Sequence, residues 1–210
     1  MKNSPKYCGV ILAAGASTRM GQNKALLAWP PANTQGSTFL SSAISSIKVV
    51  TKSVVVVAGR SRNELEPTAT SWAAHVAVNP EPERGHFSSL QVGLHEVVAL
   101  GCNTAIITPV DRPPLGDRHM EALRRAYEQS SDDVWAMIPT HNGENGHPLI
   151  AGPQLIDQLL RAPVESNAHE VMTAHASHLS YLELNDPTVT LNVNTPEEYQ
   201  QAAALLKGSC

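Results

Sequence analysis

Short, nearly continuous apolar runs punctuate the chain at Cys8–Leu12, Ser53–Ala58, His75–Val78, Thr104–Thr108, Val134–Ile138 and Val189–Val193. Apolar runs of this length with little polar alternation suit strands covered on both faces of a mostly parallel sheet. Between them the spacing predicts helices over Phe39–Val49, Asn63–Trp72, Phe87–Leu100, Gly116–Gln129 and Gln154–Leu160. A last helix has an explicit start: Thr195 as N-cap, Pro196 at N1 and Glu198 at N3 form a capping box that opens a run to Leu206. Strands alternating with helices indicate an α/β fold, a doubly wound, mostly parallel sheet with helices on both faces. The Pro- and Gly-rich stretches Pro30–Gly36, Asn79–Gly85, Asp111–Gly116 and His141–Pro148 read as loops and not as linkers. At 210 residues, a single domain over 1–210 is expected.

Composition narrows the partners. Charged residues make up 16% of the chain and the net charge is −4, which argues against a polyanion binder that relies on many phosphate contacts. Aromatic residues are 4% and form no interleaved basic–aromatic surface, so no nucleic-acid partner is expected. A site for one or two phosphates remains compatible with these numbers. The cysteines Cys8, Cys102 and Cys210 stand far apart, an odd and sparse set that suits a reducing compartment; a cytoplasmic location is expected. Lys2 and Lys6 precede the apolar stretch Tyr7–Ala14, but it is short for a signal peptide, and the polar Gly15–Gly21 with Arg19 follows it; a first buried strand reads better. No run approaches 18 apolar residues, so no membrane span is expected.

In open α/β sheets ligands sit beyond the carboxyl ends of the strands, so the polar segments after Leu12, Ala58, Val78, Thr108 and Ile138 should converge. The richest of them runs Leu12-Ala13-Ala14-Gly15-Ala16-Ser17-Thr18-Arg19-Met20-Gly21-Gln22-Asn23-Lys24. Small residues directly after a strand let backbone N–H groups approach an anion, and Arg19 and Lys24 supply compensating charge. The spacing matches neither G-x-x-x-x-G-K-[ST] nor G-x-G-x-x-G. A tight turn with two solvated basic residues is the plainer alternative.

The pattern Leu-Ala-Ala-Gly-x-Ser-x-Arg-Met-Gly-x-x-Lys resembles the signature of nucleotidyltransferases that act on molybdenum cofactor, the MobA-like NTP transferase family, and more broadly of sugar-phosphate nucleotidyltransferases. Asn79-Pro80 followed by Gly85-x-x-x-Ser89-Leu90-x-x-Gly93-Leu94 is similar to that family's base-recognition region. Pro109-Val110-Asp111-Arg112-Pro113 is similar to its metal loop, and Gly146-His147-Pro148 to the Gly-His-Pro of the cytidylyl branch. Asn192-Val193-Asn194-Thr195-Pro196-Glu197-Glu198-Tyr199 is similar to its second metal motif. The resemblance implies a Rossmann-like fold of the nucleotide-diphospho-sugar transferase type and an Mg²⁺-dependent transfer of CMP from CTP to a phosphorylated acceptor, molybdopterin or its molybdenum-loaded form. It further implies a transient contact with a molybdenum enzyme that receives the product. Leu12, Ala13, Ala14, Gly15, Ser17, Arg19 and Lys24 would hold the nucleotide, with Arg19 on the β- and γ-phosphates and Lys24 near the α-phosphate. Asn79, Gly85 and Ser89 would lie near the base, Asp111 and Asn192 would hold Mg²⁺, and Arg19, Lys24 and Asp111 would carry the catalysis.

Two features pull the base specificity in opposite directions. Asn192-x-Asn194 stands where the cytidylyl branch carries an acidic pair, and it is the guanylyl pattern; Ala14 is the cytidylyl spelling, its methyl favouring a smaller base. Ala14 together with Gly146-His147-Pro148 points to CTP. His147, in a loop expected at the cleft, is a candidate for the acceptor's phosphate or pterin ring; a loop histidine bonded to backbone is the alternative. His169, His175 and His178 lie close in sequence, but no H-E-x-x-H occurs and exposed helix histidines explain them. Two other functions remain open on sequence: transfer to a sugar phosphate or other small phosphate ester, and a non-catalytic carrier of nucleotide or cofactor.

Overall fold

The computed structural model describes residues 4–15, 20–30 and 36–207. Its strands are β1 (Tyr7–Ala13), β2 (Ser53–Ala58), β3 (His75–Val78), β4 (Thr104–Pro109), β5 (Ala136–His141), β6 (Glu144–Asn145), β7 (Leu149–Ala151) and β8 (Leu179–Glu183). The helices are α1 (Phe39–Lys48), α2 (Arg62–Ser71), α3 (His86–Ala99), α4 (Asp117–Gln129), α5 (Pro153–Arg161), α6 (Ala168–Ala174) and α7 (Pro196–Lys207). The strands form one sheet in the order β3-β2-β1-β4-β7-β5-β6, with β8 also pairing β5. β1 lies between β2 and β4 and runs parallel to both, so the chain's direction of travel across the sheet reverses at β1 and β4. Ligands bind at such a reversal point in open α/β sheets.

Both faces of the sheet are buried, which is why the strands read as continuous apolar runs. Ile11 and Ala13 face a core built with Phe39 and Ile44 of α1, Leu65 of α2 and Leu123 and Tyr127 of α4. Cys8 and Val10, alternate residues of the same strand, face a second core with Leu94 of α3 and Leu155 and Leu159 of α5. Helix α3 packs on its face of the sheet through Gly93, where a Cβ would lie 2.5 Å from Val10 Cγ1 and 2.9 Å from Val57 Cγ2.

Beyond β4 the sheet turns antiparallel. β6 and β7 pair successive stretches of β5, at Thr140↔Asn145 and Met137↔Ile150. Between those pairs Ile138 and Pro139 oppose Gly146–Leu149, so the returning strand carries two extra residues and bulges out of register at Gly146-His147-Pro148.

Three expectations are corrected. Val189–Val193 is not a strand: Asp186 caps a 3-10 turn at Pro187–Val189, and residues 191–194 run outside the sheet. The alternation of Val189, Leu191 and Val193 instead buries Val189 and Val193 against the loops at the strand ends. The outer strand is β8, whose Ser180, half-exposed Tyr181 and Glu183 conceal its strand character. The stretch His141–Pro148 is not wholly loop, since it holds the end of β5 and all of β6, and the run expected at Val134–Ile138 is in strand from Ala136 to His141. Helix α6, opened by Asn167 accepting from the Glu170 N–H, was not anticipated; it contains His169, while His175 follows it and His178 lies in a separate 3-10 turn. Among the described residues no helix is long and apolar enough to cross a membrane.

Gly93→Ala tests the packing of α3 on the sheet. Alanine gains about 1 kcal/mol of helix propensity, but the valine methyls it meets are stiff, and overpacking costs about 1–3 kcal/mol. Net destabilisation and a Tm lowered by a few degrees are expected in a thermal melt; an unchanged or raised Tm contradicts the packing.

Candidate active site

The loop leaving β1 returns to the body of the protein at Lys24. Asn23 caps a 3-10 turn over Lys24–Leu26, accepting from the Ala25 N–H, and donates its amide to Glu64 of α2 at 3.1 Å. The turn carries Lys24 inward until its side chain is only 10% exposed. There the ammonium donates to Asp111 Oδ2 at 3.2 Å and to Asn194 Oδ1 at 2.8 Å. Asp111 stands two residues beyond the end of β4. Its carbonyl accepts from the Val193 N–H at 3.0 Å, and the next residue, Arg112, donates to the carbonyls of Thr190 and Leu191. On the other side of Asn194 the expected capping box is present: Glu198 accepts from the Asn194 and Thr195 N–H groups, and Thr195 Oγ1 accepts from the Glu198 N–H. The start of α7 therefore presents Asn194, while Asn192 is exposed.

Asp111 and Asn194 thus present a carboxylate oxygen and an amide oxygen to the Lys24 ammonium. Mg²⁺ is held by one or two such protein oxygens, completed by waters and substrate phosphates. The Asp111–Asn194 pair fits that requirement. Among the described residues no cluster of three or more His, Cys, Asp or Glu side chains could hold a metal without help from a ligand.

Beside this cluster opens a cleft of about 720 Å³, lined by Ala14, Gly15, Gly21 and Asn23 from the β1 loop, Arg60, Ser61 and Glu64 after β2, and Pro82 and Glu83 after β3. Three of the strand-end segments converge there. The close approach of the β1 and β2 loops depends on Gly59, where a Cβ would lie 2.8 Å from the Ala14 carbonyl oxygen. Arg60, whose exposed side chain pairs only loosely with Glu83 at 3.7 Å, adds a mobile cation to the rim.

Two of the residues expected near the base, Asn79 and Ser89, bond each other. Asn79 is buried, donates to Ser88 Oγ and Ser89 Oγ at 2.9 Å each, and accepts from the Glu81 N–H at 3.0 Å. Ser88 in turn donates to the Gly85 carbonyl at 2.8 Å. Asn79 and Ser89 form an internal clasp under the turn at Gly85, whose φ of +96° suits glycine. Gly85 then begins α3 at the edge of the cleft region.

His147 lies elsewhere. Its N–H donates to the Val189 carbonyl at 3.1 Å, and the preceding Gly146 is pressed so closely on Val189 that no Cβ fits. The ring lines a separate cavity of about 240 Å³ on the α3 side of the sheet, together with Leu12, Phe87 and Leu155. Burial, with a smaller push from the positive Arg112, takes the imidazole down to about 4, so it is neutral at physiological pH. Its Nδ1 is enclosed and has no hydrogen-bond partner among the described residues.

Of the sequence-predicted residues, the structure brings Lys24 and Asp111 together and sets Ala14 and Gly15 in the adjoining cleft, with Leu12 and Ala13 at the end of β1 below it. Ser17 and Arg19 lie outside the described residues. Asn194 was read only as half of the Asn192-x-Asn194 pair, and Gly59 and Arg60 were not singled out. Asn194 was readable from the capping box, because the residue just before a helix N-cap is fixed in direction; Arg60 follows a strand end where a ligand residue was anticipated.

The residues 9–179 match the family model of the MobA-like NTP transferase domain. The molybdenum cofactor cytidylyltransferase of Escherichia coli K12 is 28% identical over 191 residues, covering 90% of this chain and 92% of its own length. A probable molybdenum cofactor guanylyltransferase of Bacillus anthracis is 27% identical over 206 residues, covering 94% and 96%. Among solved structures, a nucleotidyl transferase from Methanothermobacter superposes with a TM-score of 0.76 at 20% identity, over 98% of this chain and 100% of that one. The sheet order, the site at its reversal point and these likenesses agree, and the chain belongs to the MobA-like NTP transferase family of nucleotidyltransferases.

Proposed function

We propose that the protein transfers CMP from CTP to a phosphorylated acceptor, molybdopterin or its molybdenum-loaded form, with release of pyrophosphate. The observation that carries this reading is the convergence of Lys24, Asp111 and Asn194 beside the cleft that Ala14 and Gly15 line. The cytidylyl choice is supported by Ala14, which lines the cleft and whose methyl favours a smaller base, and by the cytidylyl relative.

The reaction joins an acceptor phosphate oxygen to the α-phosphorus of CTP and breaks the bond from that phosphorus to the bridging oxygen of the β-phosphate; the electron pair leaves with pyrophosphate. A phosphate monoester has a second pKa near 6 and is largely a dianion at neutral pH, so the nucleophile needs no general base. What the site must supply is position and positive charge. Lys24 holds a positive charge next to the position where the α-phosphate is proposed to bind, and backbone N–H groups after β1 approach the phosphates. Arg19 is assigned to the β- and γ-phosphates. Bound Mg²⁺, held by Asp111 and Asn194, would supply further neutralisation of the phosphate oxygens. Asn194 replaces Asn192 in that role because it alone of the two reaches the Lys24–Asp111 cluster.

The guanylyl reading is favoured by the amides at positions 192 and 194 and by the guanylyl relative, and it shares the whole mechanism apart from the base. A thermal-shift panel with CTP, GTP, UTP, ATP and NAD⁺, each with and without Mg²⁺, decides between them. A ligand at about 100 times its Kd stabilises by about 2.7 kcal/mol. A shift that needs Mg²⁺ and is largest for CTP is expected. A shift confined to GTP transfers the assignment to the guanylyl branch, and none with any nucleotide contradicts nucleotidyl transfer.

Asp111→Asn keeps the shape of the side chain and removes its charge. Turnover should fall by about 10²–10³-fold while the far-ultraviolet circular dichroism is retained; an active variant removes Asp111 from the site. Asn194→Ala should raise the Mg²⁺ concentration for half-maximal activity about tenfold or more, a far larger effect than Asn192→Ala. The opposite ranking returns the metal role to Asn192. Arg19→Ala should raise KM for the nucleotide and lower kcat, and unchanged kinetics would exclude it from the phosphate site.

A further inference from the structure

We propose that the cavity lined by His147 seats the uncharged, planar heterocyclic end of the acceptor, a pterin-type double ring, and leaves the acceptor's phosphate in the neighbouring cleft. The inference deepens the proposed function and rests on its reading of the acceptor as a pterin phosphate.

The cavity is built for such an occupant. Its walls are Leu12, Phe87, Leu90, Ile107, Leu155 and Met172, and no Lys, Arg, Asp or Glu is among its described lining residues. An anion placed there would lose its hydration without gaining a partner, so the phosphate end of any ligand is excluded. At about 240 Å³ the cavity has room for a ring system but lies below the size usual for whole drug-sized ligands. The triphosphate nucleotide is accommodated instead by the cleft of about 720 Å³.

One polar atom supplies the specificity. His147 Nδ1 is buried with no partner among the described residues, a condition native proteins rarely leave unresolved. The imidazole is neutral, so Nδ1 donates or accepts according to its tautomer and can pair with a ring N–H, ring nitrogen or carbonyl. Its direction is set by the bulge: Gly146 packs on Val189, and the His147 N–H is tied to the Val189 carbonyl. Asn167 and the exposed His86 add polar groups at the lining.

The position links the cavity to the reaction. Leu12 and Pro109 line it from the carboxyl ends of β1 and β4. Two residues further along each segment stand Ala14, in the cleft, and Asp111, in the Lys24 cluster. Two residues of extended chain span about 7 Å. A short acceptor with its ring in the cavity can therefore bring its phosphate to the cleft.

The test is a fluorescence titration of the intact protein with neopterin, an unphosphorylated pterin, run beside titrations with cytidine and guanosine. The variants are His147→Phe, which keeps a flat ring and removes Nδ1, and Met172→Trp, which fills the cavity from the half-exposed face of α6. Saturable neopterin binding is expected in the wild type, weakened about tenfold or more in each variant, a loss of about 1.4 kcal/mol, while the affinity for Mg·CTP changes less than about twofold. Failure of neopterin to bind the wild type, or equal binding in both variants, overturns the proposal. Cytidine or guanosine binding with the same sensitivity to both variants also overturns it, by making the cavity a nucleobase site. If neopterin binds as expected while no nucleotide binds, the cavity assignment stands and nucleotidyl transfer fails; if Mg·CTP is turned over while neopterin ignores the cavity, the reverse holds.

Discussion

A single ammonium group joins three distant parts of the chain. Lys24 Nζ reaches Asp111, 87 residues away, and Asn194, 170 residues away, and with them it fixes the loop after β1, the loop after β4 and the start of α7 at one point. The ion pair is mostly withdrawn from solvent, with side chains 10% and 19% exposed, so it is worth more than the ~0–1 kcal/mol of a surface pair. Losing one partner would leave the other charge poorly hydrated. The backbone agrees with the side chains: the Val193 N–H bonds the Asp111 carbonyl, and Arg112 ties down the carbonyls of Thr190 and Leu191. The placing of the Asp111 and Asn194 oxygens and the entry of the last helix both depend on that joint.

Strand geometry explains why two chambers adjoin it. Successive side chains of a strand point to opposite faces, so the end of β1 sends Ala13 into the core with α1 and α2 and Leu12 toward α3 and the His147 cavity. The parallel half of the sheet, β1 to β3, forms the cleft from its carboxyl-end loops. The antiparallel half contributes the second chamber through two surplus residues in the strand returning along β5. Without that excess, Gly146-His147-Pro148 would continue in register and His147 would simply alternate with its neighbours across the sheet.

The parallel half of the fold was legible because its strands, buried on both faces, announce themselves as apolar runs, and because helix starts such as Thr195-Pro196-x-Glu198 have local chemistry. The half beyond β4 was harder. β8 is an edge strand, parallel to β5, with Ser180 and Glu183 in it, and β7 has three residues, too few to show a period. Val189–Val193 carried a strand's alternation but spends it on loop packing, a tertiary effect no short window contains. The site shows the same division. Lys24 and Asp111 were evident from spacing after strand ends, whereas Asn79 and Ser89, equally prominent in the motif, prove to bond each other beneath the surface. The capping box beside Asn194 is the one local sign that separates it from Asn192; the reach of Lys24 to it is a tertiary contact.

The most direct test of this account is the transfer itself. The intact protein would be incubated with Mg²⁺, molybdopterin and CTP carrying a radioactive α-phosphate, following both label and pyrophosphate. The account predicts that label moves into a pterin–cytidine dinucleotide with one pyrophosphate released for each label transferred, and that both vanish when either Mg²⁺ or molybdopterin is omitted. Tight binding of CTP and molybdopterin with no pyrophosphate formed would contradict it, and would make the protein a carrier that uses a transferase's site for binding alone.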